Sequence, residues 1–282
     1  MDIATFYPGH KTLKAHIDYY YFLKADSPDF QTTYYAFPNI AVPLSIHRSA
    51  TCEITDACTQ VQALKQGQSI ALVQRTFQQP LLVKLQGPID KVTICFKPSG
   101  FSYFIPQPFS VIAPDDSQLF TAWEGMPGYQ AFLDRFFGTD DNHERVEHLE
   151  SWLLAQYRHD PAYEMMGQAI AWLSDFDNPC TIDEVAERLA LTIRSFNRLF
   201  LKHMNISPVA WKKIARFRHS LKNKLFNAQF RKLTEIGYGS NFYDQSYFIK
   251  VYNKLTGSNP GAFFKSVEKL ADDHLIFRFV KE

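Results

Sequence analysis

The chain contains no run of roughly 18 apolar residues, the length a helix needs to cross the hydrocarbon core of a bilayer. Its start, MDIATFYPGHKTLK, has neither a basic leader nor an apolar stretch behind it, so no secretion signal is expected and the cytoplasm is the expected compartment. Cysteine is scarce. Cys52, Cys58, Cys95 and Cys180 stand at irregular intervals without a C-x-x-C pair, which argues against a zinc site or a disulfide framework and for reduced, structural thiols. Nucleophile elbows and Walker loops are missing too, and GYGSNF lacks the third glycine and the βαβ context of a dinucleotide loop. A metal-dependent cupin would need an H-x-H pair with a downstream Glu and His, but His47 stands alone on its strand. His143 and His148 are five positions apart and miss the i, i+4 spacing that would turn both to one metal. No catalytic residue, metal ligand or cofactor is therefore expected.

What the chain does have is enough apolar content, 46% of 282 residues, to bury two ordinary cores, so two domains are expected. The net charge of +1 hides an asymmetry. Residues 1–175 hold 12 Lys+Arg against 19 Asp+Glu, or −7, and residues 176–282 hold 18 against 10, or +8. A basic end on an acidic protein points to a polyanion at that end, although a solvated lysine-rich surface would give the same count.

Up to about residue 112 the pattern is that of short strands. In NIAVPLSI, Ile40, Val42, Leu44 and Ile46 alternate with Ala41, Pro43 and Ser45, which puts one face in a core, and Pro43 suggests a sheet edge. KVTICFK repeats the alternation through Val92, Ile94 and Phe96, and SIALVQRTFQQPLLVKLQG supplies two more strands around a turn near Gln79-Pro80. The aromatic cluster Tyr19, Tyr20, Tyr21, Tyr34, Tyr35 and Phe37 suits half-buried strands, and it could also line a ligand cavity, for which Arg75 and His47 would be the polar groups to orient a ligand. Beyond residue 117 helices take over. HERVEHLESWLLAQYRH sets Val146, Leu149, Leu153 and Leu154 on one stripe, Pro161 opens YEMMGQAIAWLSDF, and Thr181-x-x-Glu184 is a capping box.

The strongest signal is internal. TIRSFNRLFLKHMNISP (192–208) and DQSYFIKVYNKLTGSNP (244–260) align at a constant offset of 52, which pairs Phe196 with Phe248, Arg198 with Lys250, Phe200 with Tyr252, Lys202 with Lys254, Asn205 with Gly257 and Pro208 with Pro260. Phe196, Leu199 and Phe200 form an apolar stripe and leave Arg194, Ser195, Asn197, Arg198 and Lys202 beside or opposite it. Arginine can donate two parallel bonds to guanine, asparagine the same to adenine, and lysine neutralises phosphate. Asn205 and Gly257 tolerate positive φ at a helix end, and Ser207-Pro208 and Asn259-Pro260 restart a helix. A shorter helix precedes each copy, TIDEVAERLA and LTEIGYG, which makes two helix-turn-helix units. Between them PVAWKKIARFRHSLKNKLFN predicts a helix about 30 Å long at 1.5 Å per residue, with Trp211, Ile214, Phe217, Leu221 and Leu225 on its apolar stripe.

Residues 162–267 resemble the DNA-binding domain of the AraC-type transcription regulators. The family's tail, roughly G-F-x-D-x-S-Y-F-x-R-x-F-K-x-x-x-G-x-x-P, is met by NFYDQSYFIKVYNKLTGSNPGAFF, and the first unit meets L-x-R-x-F-K as FNRLFLK. Lys250 stands where the family has arginine, Tyr252 where it has phenylalanine and Gly237 where it has alanine. The N-terminal half resembles the cupin-like sensor domains of such regulators in FYPGHKTLKAHIDYYYFL, GQSIALVQRTFQQP and VTICFKPSGFSYFI. The resemblance implies an α+β chain: a β-rich cupin-like barrel at 1–115, a helical connector at 116–160, two helix-turn-helix units joined by a long helix at 161–270 and a tail at 271–282. It implies DNA contacts from Thr192, Arg194, Ser195, Asn197, Arg198 and Lys202 in the first unit and from Asp244, Gln245, Ser246, Lys250 and Lys254 in the second. The implied partners are double-stranded promoter DNA, a small-molecule effector or a second copy of the chain at the N-terminal domain, and RNA polymerase in the case of an activator. A metabolite-binding or cupin-type enzymatic module with an accessory helical domain is the alternative.

Overall fold

The computed structural model describes residues 1–225, 233–242, 244–270 and 275–280. Phe226 and Asn227 of the expected long helix, Tyr243, and residues 271–274 and 281–282 of the expected tail lie outside them. The N-terminal part runs β1 (Asp2–Phe6), α1 (Lys11–His16), β2 (Ile17–Ala25), β3 (Gln31–Ala36), β4 (Val42–His47), β5 (Ala50–Ile54) and β6 (Cys58–Ala63). It continues with β7 (Ile70–Gln74), β8 (Leu81–Gln86), β9 (Ile89–Phe96), a 3-10 turn at Gly100–Phe104, α2 (Phe109–Ile112) and β10 (Ser117–Leu119). Helices follow: α3 (Tyr129–Gly138), α4 (Asn142–Gln156), α5 (Pro161–Ser174), α6 (Ile182–Arg188), α7 (Ile193–Met204) and α8 (Pro208–Leu225). The last elements are α9 (Leu233–Gly239), α10 (Gln245–Thr256), α11 (Pro260–Ser266), β11 (Glu268–Leu270) and β12 (Leu275–Phe279).

The strands make two six-stranded sheets, ordered β1-β2-β9-β4-β7-β10 and β11-β12-β3-β8-β6-β5. They form a cupin-like sandwich in which no ladder among the described residues closes one sheet onto the other. The turn at Gln79-Pro80 is not a hairpin, because β7 and β8 belong to different sheets. Nor is β4 an edge. It pairs with β9 from Val42↔Phe96 and with β7 only from Leu44↔Val73, so Pro43 sits where one side has no ladder and its missing N–H costs nothing.

Alternation on the central strands gives the first sheet two buried faces. Tyr20, Phe22, Leu44, Ile46, Val92 and Ile94 pack on one side into a core shared with Phe132 and Phe136 of α3 and Leu149 and Leu153 of α4. The opposite side faces the second sheet. In α4 the buried stripe includes Trp152 and Arg145, whereas Leu154 stays exposed, contrary to the sequence expectation. Arg145 is tolerated in the core because it is fully engaged: both terminal nitrogens donate to the Asp90 carboxylate of β9 at 3.0 Å and Nε donates to the Thr139 carbonyl at 2.7 Å.

A second core holds the C-terminal helices together through Met166 and Leu173 of α5, Phe196 and Phe200 of α7, Trp211 and Phe217 of α8, Phe248 and Tyr252 of α10 and Phe263 of α11. After α11 the chain returns to the sandwich. β12 pairs with β3 in the register Phe277↔Ala36 and Phe279↔Tyr34, so the C-terminal end of the helical domain is stitched into the second sheet.

Candidate nucleic-acid interface

Local chemistry defines each recognition-type helix before packing does. Thr192 and Asp244 cap α7 and α10, their side chains accepting from the N–H groups of Ser195 and Tyr247. At the other end Asn205 (φ 51°) and Gly257 (φ 68°) take the left-handed conformation and donate to Leu201 O and Asn253 O. The next helices start the same way, with Ala210 N–H on Ser207 Oγ and Ala262 N–H on Asn259 Oδ1, and Pro208 and Pro260 at the first helical position. Caps, stops and restarts all obey the offset of 52 seen in the sequence.

The turns before the two helices also match. The capping box opens α6, with Glu184 accepting from Thr181 N–H at 2.7 Å. Ala190 and Asn241 both carry positive φ, 54° and 57°, and in each unit an N–H reaches back five residues, Leu191 to Ala186 and Phe242 to Gly237, closing the helix in the six-to-one pattern of a Schellman end. Gly237 packs against Phe248, and a methyl group there would meet the Phe248 ring at an ordinary 3.8 Å.

The buried stripe is Phe196, Phe200, His203 and Met204 in α7 and Phe248, Val251, Tyr252 and Leu255 in α10. Leu199 is only half-buried. On the outer faces Arg194, Arg198 and Lys202 of α7 and Gln245, Ser246, Lys250 and Lys254 of α10 are exposed, and none has an intramolecular hydrogen bond or ion pair among the described residues. Four other expected contacts have local duties. Thr192 and Asp244 are caps, Thr192 also bonds Ser195 Oγ at 3.0 Å, and Asn197 Nδ2 donates to the Ile193 carbonyl one turn back. Ile249 was missed by sequence reasoning. It takes the place of Asn197 in the second unit and is 37% exposed, and the lack of any polar group on it kept it out of the sequence reading.

The strut α8 is 18 residues, about 27 Å at 1.5 Å per residue. Three of its cations are packed against the protein and do not form a solvated face. Lys212 donates to the Cys180 carbonyl, Arg216 lies over the Phe242 ring at 5.8 Å, and Arg218 points to the sandwich, leaving Lys222 as the exposed one of its middle cations. Burial lowers the pKa of all three packed groups.

Both units are anchored to the N-terminal domain just past their recognition-type helices. Asn205 donates from Nδ2 to the Ala113 carbonyl and accepts Arg75 Nη1 on its own carbonyl at 3.3 Å, while Arg75 Nε is paired with Asp116 at 2.7 Å. Arg278 of β12 stacks over Tyr35 and donates to Ser258 Oγ at 3.0 Å. Arg75 is thus an interdomain clamp and not the ligand-orienting group the sequence suggested, whereas His47 does line a cavity between the sheets.

Two helix-turn-helix units on one strut, seated on a β-rich domain, define a two-domain helix-turn-helix protein. Residues 185–266 match the family described as a helix-turn-helix domain, and residues 5–117 match a domain of unknown function, DUF6597. The arabinose operon regulatory protein of Escherichia coli (strain K12) is 27% identical over 117 residues, 41% of this chain and 39% of that protein. Its Salmonella typhimurium counterpart is 28% identical over 107 residues, 37% of each chain. The alignments thus span about two fifths of these relatives' length. Among solved structures, ToxT from Vibrio cholerae aligns over 87% of this chain and 97% of its own at 14% identity and a TM-score of 0.47. The match to a helix-turn-helix domain thus falls on the C-terminal part of this chain, where the two units lie.

Proposed function

We propose that the protein is a sequence-specific DNA-binding transcription regulator that inserts α7 and α10 into successive major grooves on one side of a duplex. One observation supports this above all: two capped helices in matching register, joined by one strut, each holding unpaired cations to solvent, with the amide of Gln245 beside them on the second. An arginine or glutamine on such a face matches the hydrogen-bonding edge of guanine or adenine, and lysines at the far end match phosphate. Arg198 is the principal base reader of the first unit. In the second, Lys250 lacks the bidentate fork, so Gln245, Ser246 and Ile249 carry the sequence preference and Lys250 and Lys254 mainly hold backbone.

The N-terminal sandwich adjusts this activity through an effector or a second copy of the chain, and RNA polymerase is the further partner if the protein activates. The test is selection of bound fragments from genomic DNA, followed by anisotropy titrations of the winning duplex across a salt series. A preferred sequence whose affinity falls steeply with salt is expected. If every duplex binds like random sequence, the regulator reading fails and a metabolite-directed role for the sandwich takes its place.

A further inference from the structure

Alternation along β2, β4 and β9 turns Tyr21, His47, Lys91 and Cys95 toward the second sheet, where they line a cavity of roughly 890 Å³, part of it open to solvent. Tyr34, Phe77 and Phe277 give it apolar walls, and no aspartate or glutamate is among the residues that form it. Two of the inward groups stand directly opposite each other. His47 and Lys91 are partners in the ladder between β4 and β9, which brings their Cβ atoms to about 5 Å on one face.

Lys91 is 3% exposed, and among the described residues its nitrogen has no carboxylate partner, only the face of the Tyr21 ring at 5.4 Å. Burial pushes its pKa down to about 8. Roughly a fifth of such an amine is neutral near pH 7.4, against about one part in a thousand for an ordinary lysine. A neutral lysine amine in apolar surroundings is the form that attacks a carbonyl. Across the ladder, His47 is 2% exposed and its buried Nδ1 has no hydrogen-bond partner. Burial, and Lys91 beside it, hold its pKa well below the usual histidine value, so the imidazole is neutral and can relay a proton. Cys95, another nucleophile on this face, is pushed up to about 12 by burial and stays a thiol.

We propose that Lys91 is the nucleophile of a carbonyl-capture site, which takes an apolar aldehyde between the sheets and holds it as a reversible imine. The amine nitrogen bonds to the aldehyde carbon while the carbonyl electron pair moves to oxygen. His47 accepts the proton that the nitrogen sheds and returns it to that oxygen, giving a carbinolamine. Its hydroxyl then leaves as water with the second nitrogen proton as the C=N bond forms, and hydrolysis reverses each step without oxidant or reductant. The body of the aldehyde lies against Tyr34 and Phe277. Phe277 belongs to β12, whose Arg278 holds Ser258 of the second helix-turn-helix unit, so an occupied cavity bears on the strand that seats that unit. This effector role rests on the DNA-binding reading above, whereas the capture chemistry does not.

The experiment treats the full chain, without DNA, with hexanal or benzaldehyde in the presence of sodium cyanoborohydride, which reduces an imine to a stable secondary amine. Peptide mass spectrometry then follows the modified lysines over time. With at least one of the two aldehydes, Lys91 is expected to be labelled about ten-fold or more faster than any other lysine. His47→Gln is expected to slow labelling at Lys91 about five-fold or more and to leave the other lysines unchanged. Labelling of Lys91 no faster than that of the exposed lysines with both aldehydes overturns the proposal, and an unchanged rate in His47→Gln overturns the proton relay. The mapping uses the parent chain, so it stays decisive should a variant fail to fold. Lys91→Met is expected to reduce total incorporation to the level of the exposed lysines. Untreated Lys91→Met is also expected to melt at or above the parent temperature, and a clear drop would show that the charge is already compensated and sink the site. Selective capture at Lys91 in a protein that binds no DNA would leave the site standing and reject only the regulator.

Discussion

Replacing Asn205 tests whether backbone strain and interdomain anchoring are separable at the end of α7. Its φ of 51° is a conformation that costs an ordinary side chain roughly 1 kcal/mol or more, and its Nδ2 donates to Ala113 O on the other domain. Asn205→Ala should therefore lose both contributions: about 1 kcal/mol of left-handed tolerance and about 1 kcal/mol for the hydrogen bond, or about 2 kcal/mol together. Asn205→Gly keeps the backbone freedom and should lose only the bond, about 1 kcal/mol. Gly257, at the matching site, has φ 68° and open space where a Cβ would go, so Gly257→Ala isolates the strain at about 1 kcal/mol. Denaturant unfolding by circular dichroism gives all three values. The reasoning fails if Asn205→Gly is as costly as Asn205→Ala, or if Gly257→Ala is neutral.

Gly237→Ala should stabilise by about 0.5–1 kcal/mol, seen as a raised melting temperature, since the added methyl finds ordinary contact in a helix interior. For Lys91 the folded-state pKa, about 8, lies below the unfolded 10.5, so the unfolded chain binds more protons between these values and stability rises with pH across that window. The stability advantage of Lys91→Met over the parent should accordingly shrink by about 3 kcal/mol between pH 7 and 10.5 in paired denaturation curves. Arg145→Ala, which leaves the largely buried Asp90 carboxylate only the longer Arg48 contact at 3.8 Å, should cost about 3 kcal/mol in the same assay. On the selected duplex, Arg198→Ala should weaken binding roughly 5- to 150-fold and relax base preference at one half-site, whereas Lys202→Ala should weaken all sequences alike and flatten the salt slope.

The duplicated helical unit was legible in the sequence because everything that defines it is local. A cap reaches three residues, a Schellman end five, and a stripe repeats every turn, so Thr192, Asn205, Ser207 and their partners at Asp244, Gly257 and Asn259 could be read without knowing what they pack against. Exposure of Arg198 and Lys250 followed from the same periodicity. Local bonding at Asn197 and Thr192 did not, because a side chain that can read a base can equally satisfy its own backbone.

Alternation in NIAVPLSI and KVTICFK told which residues share a face but not what lies beyond each face. Ser45, His47, Lys91 and Cys95 occupy the positions a sequence assigns to solvent, and the second sheet covers them. Pro43 marked an edge by its chemistry, while the stagger between β9 and β7 let it sit in a central strand. The amino-acid sequence by itself determined the paired helical units and their polar faces, since hydrogen bonds within five residues and a 3.6-residue period suffice to specify them. Only the tertiary structure decided that Arg75 and Arg278 clamp the two domains, that Arg218 faces the sandwich and that the tail re-enters a sheet begun more than 200 residues earlier. Those contacts join residues with no periodic relation along the chain, so nothing short of the folded arrangement brings them together.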